Sequence, residues 1–362
     1  SATGARAFDV DFSRRLFGEA MSIAAVSDAD FPELGHEGEG LGAATKATGN
    51  RIGFDLGGSD RKCAAVIDGE VVFSEEITWD PYFQSDPNYH IEGIRDSLRR
   101  AAAHLPSVDA IGGSAAGVYV DNQVLVASLF RGVPDDLYES HVKNLFIDLA
   151  HEWNDVPFRV VNDGDVTALA GSISLDDGAV LGLAMGTSTA AGYVDESRNI
   201  TDRISELAFV PLDYREDAPA DEWSGDHGCQ VQYFSQQAVS RLIPASGLPI
   251  DASLGKPEQL VKVQEFMAAG DDRAAAIYRT IGTYLGYAIP HVARFYAVRH
   301  WLLLGRVMTG EGGELIIKHA RAVLADEFPD LAKNTQISTP DEQMKRHGQA
   351  IAAASLPKIP SV

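Results

Sequence analysis

The chain has 362 residues, 45% hydrophobic and 23% charged, with a formal net charge of −22. That length fits two ordinary domains, each with its own core, and the balance is globular and not disordered. So negative a surface repels nucleic-acid phosphates and anionic lipid, which excludes binding to either as the main task.

Residues 1–50 differ from the rest. An amphipathic stretch over 12–25 predicts a helix, and the Gly/Ala/Glu-rich segment 35–49 predicts a mobile linker. The stretch is too short and too acidic for a DNA-binding helix-turn-helix. No basic segment followed by an apolar core opens the chain, so no secretory signal is expected. No apolar run reaches the roughly 18 residues a membrane helix needs. Cys63 and Cys229 are the only cysteines, which excludes a disulfide framework and fits a reducing compartment.

The body begins at Arg51. Ile52, Phe54 and Leu56 alternate as in a strand, and the turn Gly57-Gly58-Ser59-Asp60 follows. A second strand is expected over 62–67, a hairpin turn at Asp68-Gly69 and a third strand over 70–77, giving an antiparallel meander. Ile91, Ile94, Leu98 and Ala102 share a face of a helix over 91–104, which Pro106 ends. A strand over 108–112, a small-residue loop over 113–117, a helix over 141–153 and a strand over 158–161 come next. A helix starts at once, over 163–170.

The opening pattern then returns. A strand over 179–185 leads to the turn Gly186-Thr187-Ser188-Thr189, a strand over 190–194 and a turn over 195–198. Two related α/β domains are expected, each presenting one tight turn to a shared cleft. Their bounds are 51–165, with a last helix over 341–355 packing back, and 166–340, which includes a helical subdomain. Helices are expected over 257–269, 272–297 and 312–325, with one apolar strand over 300–304 before Gly305-Arg306.

Four places carry chemistry. In the segment 55–62, Gly57 and Gly58 let backbone N–H groups approach a phosphate, Ser59 adds a hydroxyl and Lys62 a cation. Asp55 can hold Mg²⁺ through water, since that ion prefers one or two carboxylates and keeps several waters. The hydroxyl-rich turn Gly186-Thr187-Ser188 suits outer phosphates. Asn162-Asp163 stands where a strand ends and a helix starts, the usual ligand side of an α/β sheet. A carboxylate there can take a proton from a hydroxyl, or either residue can simply cap the helix. Asp165 reads as a solvated or helix-start charge. Glu206, a carboxylate in an apolar stretch, can bind hydroxyls or form an ion pair. His227 and Cys229 lack the partners of a four-ligand zinc site, so zinc is not expected.

In this order and spacing the segments resemble the ROK family of bacterial sugar kinases and repressors, within the actin/hexokinase superfamily, over about residues 51–355. The segment 55–62 resembles the family's first phosphate motif and 186–192 its second. The stretch 113–121, which includes Gly117, and then 124–129, with Ser128, resemble its glycine segment and sugar-facing loop. Asn162-Asp163 resembles the pair that binds sugar and supplies the base, and 205–207 the sugar-binding Glu segment. Residues 304–307, with Gly305 and Arg306, resemble the adenosine motif, and 347–354 the small-residue last helix. The resemblance implies an actin-like α/β fold and ATP with Mg²⁺ as cofactors. It also implies a cytoplasmic, homodimeric enzyme that phosphorylates a hydroxyl of a sugar-like molecule.

The departures lie on the sugar side. The family's sugar- and zinc-binding His falls near Phe209 here, and a sugar-binding Glu near Val231. Ala116 replaces a Pro, Ser128 stands near a sugar-binding Asn, and Ser188 and Ala190 replace glycines. A standard glucokinase is therefore not expected. A non-catalytic sugar sensor and an ATPase that drives a conformational change are the alternatives.

Overall fold

A computed structural model describes residues 7–19, 21–22, 24–27, 30, 48–201, 203–222, 224–340 and 348–359. The linker expected over 35–49 falls almost wholly outside them, as do residues 341–347 of the last helix. Helix α1, Ala7–Phe17, starts and ends earlier than the amphipathic stretch suggested; Gly18, in the left-handed region at φ 72°, follows its end.

The meander β1 (Asn50–Leu56), β2 (Asp60–Ile67) and β3 (Glu70–Thr78) forms as its hairpin signals required. Asp68 and Gly69 both adopt the left-handed conformation, at φ 50° and 87°, which matches the twist of the flanking strands. Helix α2 (Pro87–Ala102) is capped by the Asp86 side chain, which accepts from the Asn88 N–H. Strand β4 (Ala110–Ala115) runs three residues into the expected loop. Ser114 and Ala115 are held by Asp55 and Leu56 on one side and Val161 and Asn162 on the other. Strands β5 (Val118–Val120) and β6 (Gln123–Val126) form a small hairpin. The turn α3 (Asp135–Leu137) and helix α4 (Leu145–Glu152) lead to β7 (Phe158–Asn162). The first sheet has the order β3-β2-β1-β4-β7, with β1, β4 and β7 parallel.

Helix α5 (Asp163–Leu175) leaves β7 without a loop and packs against the second sheet, on β8 (Val180–Met185) and β9 (Thr189–Val194). It thereby joins the two sheets, and its first residue stands between them. Helix α6 (Gln236–Ser246) was not foreseen; Ser235 caps it. Helices α7 (Lys256–Ala268) and α8 (Asp272–Val292), strand β10 (His300–Leu304), helix α9 (Glu311–Glu327), the turn α10 (Pro329–Ala332) and strand β11 (Gln336–Ser338) complete the second half. The second sheet has the order β11-β10-β8-β9.

Each sheet buries its own core. Phe54, Ile94, Leu98 and Phe146 lie in the first, and Leu183, Tyr278, Ile281 and Trp301 in the second. Helix α11 (Gln349–Ser355) packs on β1, β4 and α5. This approach needs glycine: a Cβ on Gly112 would lie 1.7 Å from the Ala353 carbonyl oxygen, and one on Gly53 2.0 Å from that of Ala350. Among the described residues no helix is long and apolar enough to cross a membrane.

Candidate functional site

The two glycine turns face one cavity of about 320 Å³, and Gly57, Gly58, Gly186, Thr187 and Ser188 all line it. Asn162, Asp163, Glu206, Gly117 and Ser128 line the same space. Segments about 130 residues apart in the chain are brought together because β1, β7 and β8 each end at this gap.

The first turn is closed by the Gly57 N–H donating to the Asp60 carbonyl at 2.9 Å, and the Gly57 carbonyl accepts from Trp79 Nε1 at 2.7 Å. Ser59 Oγ donates to Asp60 Oδ2 at 3.0 Å. Gly58 permits a close neighbour, since a Cβ there would lie 2.0 Å from the Tyr82 hydroxyl. Tyr82 lines the cavity, and the Arg131 guanidinium sits 4.1 Å over its ring. Asp55 is buried, and Ser114 Oγ donates to its Oδ1 at 2.6 Å. Burial raises the Asp55 carboxyl above its ordinary range, against the pull of Ser114 and Lys62. The Lys62 ammonium lies 4.0 Å from Asp55 and 3.4 Å from Asp60. Burial works against its charge, but Asp55, Asp60 and Glu76 together hold its pKa above the usual value.

The second turn is closed by the Gly186 N–H donating to the Ser188 carbonyl at 2.9 Å. Thr187 and Ser188 are exposed to the gap, whereas Thr189 belongs to β9 and its hydroxyl donates to the Phe234 carbonyl at 2.9 Å. Gly305, at φ 96°, packs against Met185, next to this turn; neither it nor Arg306 lines the cavity.

Asn162 serves both candidate roles. Its Oδ1 accepts from the Gly164 N–H at 2.8 Å and so caps α5. Its Nδ2 donates to the Gly117 carbonyl at 2.7 Å and reaches Glu206 Oε1 at 3.5 Å, which braces the acidic end of the cavity. Asp163 accepts from the same Gly164 N–H at 2.9 Å. Burial pushes the Asp163 carboxyl up to about 6, and the Asp55 charge adds to this. Burial and Asp163 push Glu206 up to about 7. A carboxylate near 6 is ionised at neutral pH and basic enough to accept a proton.

Asp165 stands in the first turn of α5, one of the two places the sequence allowed it, and is half-buried and not a freely solvated charge: the Tyr193 N–H donates to its Oδ1 at 3.3 Å, and burial, with Glu206 and Asp163 adding, pushes it up to about 8. It lies on the wall of a second cavity of about 210 Å³ behind Asn162 and Glu206. Tyr82 and Phe12 were also missed. Nothing in a local pattern marks a residue that reaches the site from another element, although Phe8 and Phe12 do stand at helical spacing. Among the described residues no three His, Cys, Asp or Glu side chains gather as a metal-holding group.

A folded pKa above the unfolded value means that the fold binds extra protons. The stability from protonated Asp165 is therefore complete below about pH 4 and is lost as pH rises to about 8. Asp165→Asn keeps the acceptor for Tyr193 without the charge. Its Tm is expected to match wild type at pH 4 and to exceed it by roughly 2–6 °C at pH 8. Calorimetry across this range checks it; a Tm gain that does not grow with pH contradicts the raised Asp165 pKa.

No family model and no curated protein matches the sequence. Solved structures do match. A ROK hexokinase from Thermus thermophilus is 17% identical with a TM-score of 0.64, over 85% of this chain and 97% of that one. A ROK glucokinase from Streptomyces griseus, solved with glucose and AMPPNP, is 19% identical at 0.62, over 85% and 99%. A ROK transcriptional regulator, a homologue of the Escherichia coli MLC protein, is 19% identical at 0.67, over 86% and 78%. The fold is thus an actin-like mixed α/β fold. In particular, it is the fold shared by ROK sugar kinases and a ROK regulator.

Proposed function

We propose that this chain transfers the γ-phosphoryl group of ATP to a hydroxyl of a sugar-like small molecule. The observation that carries the reading is that both glycine turns and Asp163 line one cavity. Phosphoryl transfer asks a protein mainly for positioning and for electrostatic relief of the phosphates. The turns supply backbone N–H groups and the Thr187 and Ser188 hydroxyls, local donors that an overall charge of −22 makes necessary.

Asp163 takes the proton of the acceptor hydroxyl, and Asn162 and Glu206 orient neighbouring hydroxyls. Gly305 and Arg306 lie toward the adenosine. One buried carboxylate, Asp55 with Ser114 on one oxygen, would suit a hydrated Mg²⁺ and would be the residue to hold it. When bound, the ion offsets phosphate charge. Residues 51–165 with α11 act as one lobe and 166–340 as the other, and their closure excludes water. The nucleotide and glucose in the Streptomyces griseus glucokinase structure support this reading. Phe209 and Ser128, which line the cavity, favour an acceptor other than plain glucose.

A panel of hexoses, amino sugars and polyols with ATP·Mg²⁺, read by ADP release, tests the proposal. At least one acceptor is expected to raise release about tenfold or more over the water background. Sugar binding with no release across the panel overturns catalysis and favours a sensor.

A further inference from the structure

The acceptor end of the cavity is not closed by the two lobes alone. Helix α1 lies across it. The Phe8 and Phe12 rings stack 5.7 Å apart, and their centroids stand 5.0 and 6.5 Å from that of Phe209. Phe12 and Phe209 line the acceptor cavity together with Val126 and Ala208. Among its polar groups, Glu206 adjoins these rings and is reached by Asn162 Nδ2 at 3.5 Å, and Asp163 lines the same space. Hydroxyl-binding groups therefore border an apolar end.

The apolar end continues. A further cavity of about 330 Å³ shares Phe12, Glu206 and Phe209 with the first and adds Phe8, Ile204, Val210 and Pro211. Glu206 is its one carboxylate besides Asp9, and the rest of the lining is aromatic or aliphatic. A trough of this kind gains nothing from a bare sugar, which offers hydroxyls on nearly every edge. It gains from an apolar group carried out past Glu206, since contact there removes apolar surface from water on both sides.

We infer that the acceptor is a polyhydroxylated molecule bearing an apolar arm, such as an aryl or alkyl glycoside. Its hydroxyls lie at Asn162, Asp163 and Glu206, and the arm lies between α1 and Phe209. This deepens the reading of a sugar-like acceptor and rests on it for the polar end only. Phe8 touches the arm alone, so it sets specificity without touching the hydroxyls.

Equilibrium binding separates these claims. The probes are glucose, mannose, galactose and N-acetylglucosamine, each beside its 4-nitrophenyl β-glycoside, measured by calorimetry without ATP. In the wild-type chain at least one aryl glycoside is expected to bind about 10- to 100-fold tighter than its parent sugar. Phe8→Ala is expected to bring that ratio to within about twofold of unity, leaving the parent's Kd alone, and Phe8→Leu to restore part of it. A wild-type ratio near unity overturns the proposal. So does a loss on Phe8→Ala shared equally by parent and glycoside, which would mean that α1 only supports the fold. Removal of residues 1–17 that tightens every ligand alike would make α1 a plug and overturn it too. The two readings fail differently. Glycoside-selective binding without ADP release sinks catalysis and keeps the trough; ADP release with a ratio of unity does the reverse. No binding by any probe overturns the trough outright.

Discussion

Asp163→Asn is expected to lower the rate of phosphoryl transfer by about 10²- to 10⁴-fold, the usual contribution of a positioned general base. The amide keeps the shape and accepts the same Gly164 N–H, which now lies 2.9 Å from Asp163 Oδ1. Folding should therefore persist. ATP affinity should hold or rise slightly, because a negative charge facing the phosphates is gone. The pH dependence gives a second readout. The base works ionised, and burial has pushed its carboxyl up to about 6. The wild-type rate should thus rise about tenfold per pH unit well below 6 and level off above it. In the asparagine variant this limb should vanish. Single-turnover kinetics from pH 4.5 to 8, with nucleotide binding measured in parallel, check both; undiminished turnover would remove Asp163 from the chemistry.

Gly112→Ala is expected to cost about 3 kcal/mol or more, through one methyl group. The added carbon would stand 1.7 Å from the Ala353 carbonyl oxygen, so the backbone of β4 or α11 must move. Moving α11 disturbs more than packing. Arg51 Nη1 donates to the Ala354 and Pro357 carbonyls at 3.0 and 2.8 Å, and Gln349 Nε2 donates to Thr167 Oγ1 on α5 at 2.8 Å. Helix α5 carries Asp163 at its first turn, so a shift there reaches the site. Thermal unfolding should fall by roughly 5–10 °C. Gly69→Ala is a useful control: it puts a methyl into open space at a left-handed turn residue and disturbs only the hairpin. An unchanged Tm for Gly112→Ala would mean that α11 does not pack on β4 as described.

Local signals made much of the architecture legible. The alternation of Ile52, Phe54 and Leu56, the Asp68-Gly69 turn and the apolar run ending at Leu304 fix strands through side-chain period and backbone preference, which act over a few residues. The two small-residue turns and Asn162-Asp163 stood out for the same reason. Each is short, and each places special chemistry at a strand end. Distances of more than a few residues were another matter. Strand β4 outran its expected end because neighbours on both sides hold Ser114 and Ala115, and those neighbours come from elsewhere in the chain.

The site divides along the same line. The sequence by itself determined which residues can bend tightly, accept a proton or donate to a phosphate, because these are properties of the residues and their immediate neighbours. Only the tertiary structure decided that Gly57, Gly186 and Asp163 share one cavity, that the Asp165 carboxyl is pushed up to about 8, and that Phe12 lines that cavity with Phe8 stacked behind it. Burial, field and proximity arise between segments that the chain separates, and no local pattern encodes them.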